Sequence, residues 1–231
     1  MALILTIDTA TAHASVCLSR DGKTIGYSES PEQKDHASFI QPAIKKVFDS
    51  SGYALPDLDA VAVSNGPGSY TGLRVGLATA KGICYALDKP LILINTLEII
   101  AKAAIEAEFE EREDTGLFCP MIDARRMEVF AAVYDKDLIL VRHPAAVILD
   151  EKSFADILGE QKIYFSGSGA TKLGSVVSHN NAVILHVQHN ATHMQSIAEK
   201  MYLLKSFADK AYSEPYYLKE FFTTAQKIKS D

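Results

Sequence analysis

The residues best suited to chemistry lie in Ser64-Asn65-Gly66-Pro67-Gly68-Ser69-Tyr70-Thr71-Gly72-Leu73-Arg74, a glycine-rich run that leaves an apolar strand and enters a helix. Free N–H groups at such a turn, with hydroxyls and a cation close behind, suit an oxyanion such as phosphate. The GxxxxGK[ST] spacing is missing, and Lys81 stands well down the helix, so the run is no P-loop. Packing explains the same glycines. Gly72, Gly76 and Ala80 recur every four residues and give the helix a smooth stripe that another helix can approach closely.

Asp8 and Asp123 each end an apolar run, where a pair of carboxylates could flank a metal-bound phosphate. A working phosphate turn brings backbone N–H groups close to the ligand, which glycine permits. Asp8-Thr9-Ala10-Thr11 and Asp123-Ala124-Arg125-Arg126 contain none, so nucleotide hydrolysis is not expected and either Asp could simply cap a turn. Weak nucleotide binding stays open, with Asp8, Thr9, Asp123, Gly167 and Gly169 as the candidate cleft. The two glycines belong to Ser166-Gly167-Ser168-Gly169-Ala170, a strand-to-helix turn that a helix cap explains as readily as a ligand. His189 and His193 have i,i+4 spacing, with His186 three residues before. Asn190 and Thr192 read as cap residues, however, which takes the two imidazoles off one helix face; exposed loop histidines without a metal are expected. No Cys or Ser sits in a nucleophile context.

These side chains need elements to hold them. Residues 3–8 read as a buried strand, and 15–18 and 24–28 as two more joined at the Asp21-Gly22 hairpin signal. Residues 36–50 place Ile40, Ile44, Val47 and Phe48 at helical spacing, with Pro42 in an early turn and Gly52 as the stop. A strand at 60–64, a helix at 71–87, a strand at 91–94 and a helix at 96–108 complete the first half. Beyond the acidic run 106–114 the order repeats. Strands at 117–123, 128–134 and 138–142 precede a short helix ending at 158, a strand at 162–166, a helix at 170–178, a strand at 182–187 and a helix at 192–210. The expectation is an α/β chain of two duplicated lobes, residues 1–110 and 111–231, facing a cleft. This order is similar to that of the actin-like ATPase (ASKHA, ribonuclease H-like) superfamily.

Composition narrows the function. With 231 residues the chain is about one and a half domains long and can bury a sizeable core. Lys and Arg number 23 against 29 Asp and Glu, a net charge of −6, so nothing pulls the whole surface towards nucleic acid or anionic membrane. An RNA role then needs a local patch or a partner. Three cysteines without a CxxC fit a reducing cytoplasm. The opening MALILTIDTA meets Asp8 too soon for a signal peptide, and residues 91–105 contain Asn95, Glu98 and Lys102, too polar for a bilayer.

Asn65-Gly66-Pro67-Gly68-Ser69-Tyr70-Thr71-Gly72-Leu73-Arg74-Val75-Gly76 closely resembles the glycine motif of the TsaB (YeaZ) family. Ile7-Asp8-Thr9-Ala10-Thr11 with Ser15-Val16, the helix entry from His36 to Pro42, Asp123-Ala124-Arg125-Arg126-Met127-Glu128-Val129-Phe130 and Pro215-Tyr216-Tyr217-Leu218-Lys219 resemble it too. Tyr70 stands where the family usually has Phe, Met127 where it has Gly, and Lys219 where Arg is common. The resemblance implies the actin-like fold and a non-catalytic partner in making threonylcarbamoyladenosine next to the tRNA anticodon. It implies pairing with a TsaD-type paralogue through first-lobe helices, with Ile40, Ile44, Gly72, Gly76 and Ala80 at the interface. A TsaE-type ATPase would join that pair, tRNA would be reached only indirectly, and a homodimer would form without the partner. The paralogue binds metal through an HxxxH motif; here His36 is followed four residues on by Ile40, so no metal and no protease chemistry is implied. The alternative is a nucleotide-binding or hydrolysing enzyme of the same fold.

Overall fold

The computed structural model describes residues 2–30, 36–109 and 116–219. β1 (Leu3–Asp8), β2 (Ser15–Arg20), β3 (Lys23–Glu29), β4 (Ala60–Gly66) and β5 (Leu91–Asn95) form one sheet in the order β3-β2-β1-β4-β5. The first three make an antiparallel meander with Leu5 opposite Leu18 and Cys17 opposite Tyr27, and β4 and β5 add on in parallel. β1 is buried along its whole length because both faces of the sheet are covered, which is why its sequence does not alternate. β6 (Leu117–Asp123), β7 (Glu128–Tyr134), β8 (Leu140–Ile148), β9 (Ile163–Ser166) and β10 (Ala182–Ile184) form a second sheet in the order β10-β9-β6-β7-β8. With β6 in the place of β1, the topology repeats: the fold is α/β, with two duplicated lobes.

α1 (His36–Ser51) and α2 (Tyr70–Ala86) lie on one face of the first sheet. Ile40, Ile44, Val47, Leu77 and Ala80 join Leu5, Ile7, Val61 and Val63 there in one core. The helices that follow the sheets in sequence are exchanged. α3 (Thr96–Phe109) directs Leu97, Ile100, Ala101 and Ala104 against Phe118, Ile122, Tyr134 and Tyr164 of the second sheet. α4 (Ala155–Leu158) and α5 (Ala170–Gly174) cover that sheet's other face. The 3-10 turn Ala191–Met194 and α6 (Gln195–Leu203) return to the first sheet, where Ala191, Met194, Ile197 and Ala198 pack on Ile4, Ala62 and Ile92. The expected division between residues 110 and 111 falls outside the described residues, and the packing on either side of it does not follow sequence order.

α6 ends at Leu203, short of the expected residue 210. Lys205 takes φ +54°, and the N–H groups of Ser206 and Lys205 close on the carbonyls of Met201 and Tyr202 at 2.9 and 3.0 Å, a Schellman closure. Residues 204–219 then run across the first lobe. Ala208 bridges to Leu91, the Lys81 amine donates to the carbonyls of Ala211 and Ser213, and the Tyr216 N–H donates to the Asn65 carbonyl. No helix among the described residues is long and apolar enough to cross a membrane.

Candidate functional site

The glycines of the run pack against the turn after β1, while Pro67 to Thr71 line a cleft. The Ser69 hydroxyl caps α2 by accepting from the Gly72 N–H, and the Ser69 N–H donates to the Ala10 carbonyl at 2.7 Å. A Cβ on Gly68 would stand 2.3 Å from the Ala10 carbonyl oxygen, one on Gly72 2.1 Å from that of Thr9, and one on Gly76 2.2 Å from Thr9 Oγ1. The glycines let the turn after β1 lie directly on α2, where the Thr9 hydroxyl donates to the Gly72 carbonyl. Packing is therefore their role.

The expected partner interface needs correction on the same ground. Ile40, Ile44, Gly72, Gly76 and Ala80 are buried inside the first lobe, facing its sheet and the β1 turn. The stripe that looked suited to a second subunit is consumed by the chain's own strand. α2 instead exposes Thr71, Arg74, Ala78, Gly82 and Tyr85, and α1 exposes Ala37, Gln41, Pro42 and Lys45.

The candidate nucleotide residues divide. Asp8 is wholly buried; one carboxylate oxygen accepts from the Ala10 N–H, and the other lies 3.4 Å from His189 Nε2. Thr9 is buried and committed to α2. Asp123 is exposed and bound by Lys172 Nζ and the Arg125 N–H, each at 2.6 Å. Partial desolvation raises its pKa, but these two donors outweigh it and hold the carboxyl below its ordinary value. A Cβ on Gly167 would meet the Met121 carbonyl at 2.4 Å, and the Gly169 N–H already donates to that carbonyl. The turn 166–170 is thus folded shut on β6, with the Ser168 hydroxyl accepting from the Asp123 N–H.

A cleft of about 1490 Å³ opens where the two halves meet, and of the five candidates Asp123 and Gly167 line it. Pro67 to Thr71 of the glycine-rich run line it too, beside residues that sequence reasoning did not assign to a site. Arg125 and Arg126 form the tip of the β6–β7 turn, both left-handed at φ +70° and +47°. Tyr216, Tyr217 and Lys219 enter from the tail, and Lys219 pairs with Glu128. Arg74 lies 4.0 Å over the Tyr70 ring and donates to the Tyr217 hydroxyl at 3.1 Å. The adjacent arginines after Asp123 and the paired tail tyrosines were the available signals. His189 is buried rather than exposed, and burial holds its pKa below the usual imidazole value, against the pull of Asp8. Among the described residues no group of three His, Cys, Asp or Glu side chains is placed to hold a metal.

A family model described as TsaD, tRNA N6-adenosine threonylcarbamoyltransferase, matches residues 30–213. The chain is 36% identical over 134 residues to the tRNA threonylcarbamoyladenosine biosynthesis protein TsaB of Escherichia coli K12, covering 58% of this chain and 55% of that protein. It is 33% identical over 131 residues to a protein of the same description from Bacillus subtilis 168, covering 57% and 54%. The chain spans about half the length of the curated relatives it matches. A crystal structure of a Pseudomonas aeruginosa protein with similarity to the peptidase YeaZ shares the fold, with a TM-score of 0.84 at 23% identity over 95% of this chain and 100% of that one.

Proposed function

We propose a function from the premise that the chain belongs to the TsaD and TsaB (YeaZ) family. It serves tRNA threonylcarbamoyladenosine formation in the cytoplasm as a non-catalytic subunit that binds and steadies a TsaD-type transferase. The observation carrying this reading is the state of the helix-entry histidine. His36 Nε2 meets the Thr11 carbonyl at 2.8 Å and its Nδ1 has no hydrogen-bond partner among the described residues, but the position four residues on is Ile40, packed in the core. A metal-binding pair on one helix turn needs two imidazoles, and here the second is missing, so His36 suits a structural role.

The outward face of α1 and α2 suits the docking. It presents Ala37, Ala78 and Gly82, small residues that let another helix approach, beside the larger Tyr85. Among the described residues, nothing beyond the helix's own adjoining backbone lies within 4 Å of a Cβ built on Gly82. A TsaE-type ATPase joins the resulting pair, and two copies pair through the same face when the transferase is absent.

Co-purification with the TsaD-type protein of the same organism tests this. The wild-type chain should hold the transferase, and Ala78→Arg, which places a bulky charge on the outward face, should lose it with unchanged circular dichroism and melting temperature. Failure of the wild-type chain to pair, or an unimpaired variant, would count against the reading.

A further inference from the structure

The cleft carries two cations that the fold does not use. Neither the Arg125 nor the Arg126 guanidinium has a hydrogen-bond or ion-pair partner among the described residues, although both are exposed at the cleft. The nearby lysines differ. Lys219, in the lining, is paired with Glu128, and Lys172, outside it, is fixed by Asp123 and the Arg126 carbonyl. Holding two consecutive non-glycine residues at left-handed φ costs about 1 to 3 kcal/mol each. That conformation keeps both guanidiniums at the turn's tip.

Aromatic surface enters the same cleft. Tyr216 and Tyr217 are 41% and 39% exposed. Their backbone is tied to the first lobe by the Tyr216 N–H to Asn65 carbonyl bond, and the Tyr217 ring stands 5.4 Å from that of Tyr70. Half-exposed rings on a fixed backbone offer stacking planes at little entropic cost. Free guanidiniums lining the same cleft suit phosphates, which they grip bidentately.

We propose that this cleft binds a single-stranded RNA segment directly, with Arg125 and Arg126 on its phosphates and Tyr216 and Tyr217 under its bases. The choice of RNA over other polyanions rests on the reading of the chain as part of an RNA-modifying assembly. A metal-bound nucleoside triphosphate fits less well. Asp8 is sealed off by protein, Asp123 is already taken by Lys172, and about 1490 Å³ exceeds the roughly 300–1,000 Å³ typical of small-ligand pockets. The acidic chain as a whole repels RNA, so contact is confined to this local patch, and most of the grip belongs to the transferase.

The test uses the purified chain alone, so that it does not depend on pair formation. Fluorescence anisotropy would follow a labelled single-stranded RNA of roughly 12 nucleotides, within the span that such grooves bind. Arg125→Asn with Arg126→Asn removes both charges, and Asn tolerates the left-handed turn. The double variant should weaken binding and lower the slope of log affinity against log salt by about 1.4, at ~0.7 per phosphate contact. Tyr217→Ala should weaken binding roughly 5- to 150-fold, the loss of one stacked base, and Tyr217→Phe should restore it. No binding by wild type, or the same binding and salt slope in the double variant, overturns the proposal. Binding of ATP that the arginine substitutions abolish, with no RNA binding, also overturns it and assigns the cleft to a free nucleotide. The transferase pairing is read separately, so an intact pair with no RNA effect removes only this inference.

Discussion

His189 Nε2 lies 3.4 Å from Asp8 Oδ2 and 3.3 Å from Thr11 Oγ1, joining the segment before α6 to the end of β1. Burial lowers its pKa, Asp8 opposes that, and His193 and His13 add to the lowering. A histidine with a folded pKa below its unfolded value of 6.5 binds fewer protons when folded. Its contribution is therefore complete above 6.5 and is lost as pH falls towards the folded value. Stability, and with it the melting temperature, should fall as pH drops below 6.5, the stability by at most about 1.4 kcal/mol per pH unit from this one proton. His189→Asn should flatten that slope even though it lowers stability throughout; an unchanged slope would assign the dependence to other groups. The cap residues Asn190 and Thr192 indicated that His189 and His193 need not share a helix face. It could not show that His189 is buried, because Asp8 is 181 residues away in the chain and meets it only through the tertiary fold.

Helix α2 carries glycines with opposite demands. Gly72 has the Thr9 carbonyl oxygen 2.1 Å from where a Cβ would stand, and Gly82 has nothing within 4 Å. Gly72→Ala should therefore destabilise by about 1–3 kcal/mol through overpacking. Gly82→Ala should stabilise by roughly 0.5–1 kcal/mol, since an exposed helical glycine carries only the entropic penalty. Urea titration of the two variants checks both signs, and like signs would mean that the turn after β1 does not bear on the helix. The sequence made the helix and its small-residue stripe legible. It did not reveal which surface the stripe meets, since a strand and a second subunit ask for the same small residues. Helix ends behaved similarly. Gly52 announced the stop of α1, but α6, which ends at Leu203, is closed by Lys205, a non-glycine residue at φ +54° with no compositional signature.

At the scale of the whole molecule, the exchange of helices makes the two sheets interdependent. The duplicated order of strands was readable because each half repeats a meander and parallel crossovers. The exchange was not, because local periodicity specifies a helix and its apolar face but not the sheet that covers it. Ile100 of α3, from the first half, is packed with the second sheet, and Ala198 of α6, from the second half, with the first. Loss of either sheet strips the apolar cover from the other, so the chain should unfold as one unit, with equal calorimetric and van't Hoff enthalpies. Ile100→Ala should lower the single transition by about 2–5 kcal/mol, as cavity formation at a buried isoleucine does. Amide exchange should then lose protection in β1 and β4 as well as in β6 and β9, though the substitution touches only the packing of α3 on the second sheet. Separate transitions, or protection lost in β6 and β9 alone, would mean that the lobes fold as independent bodies. In that case the cleft between them would open without cost to either core.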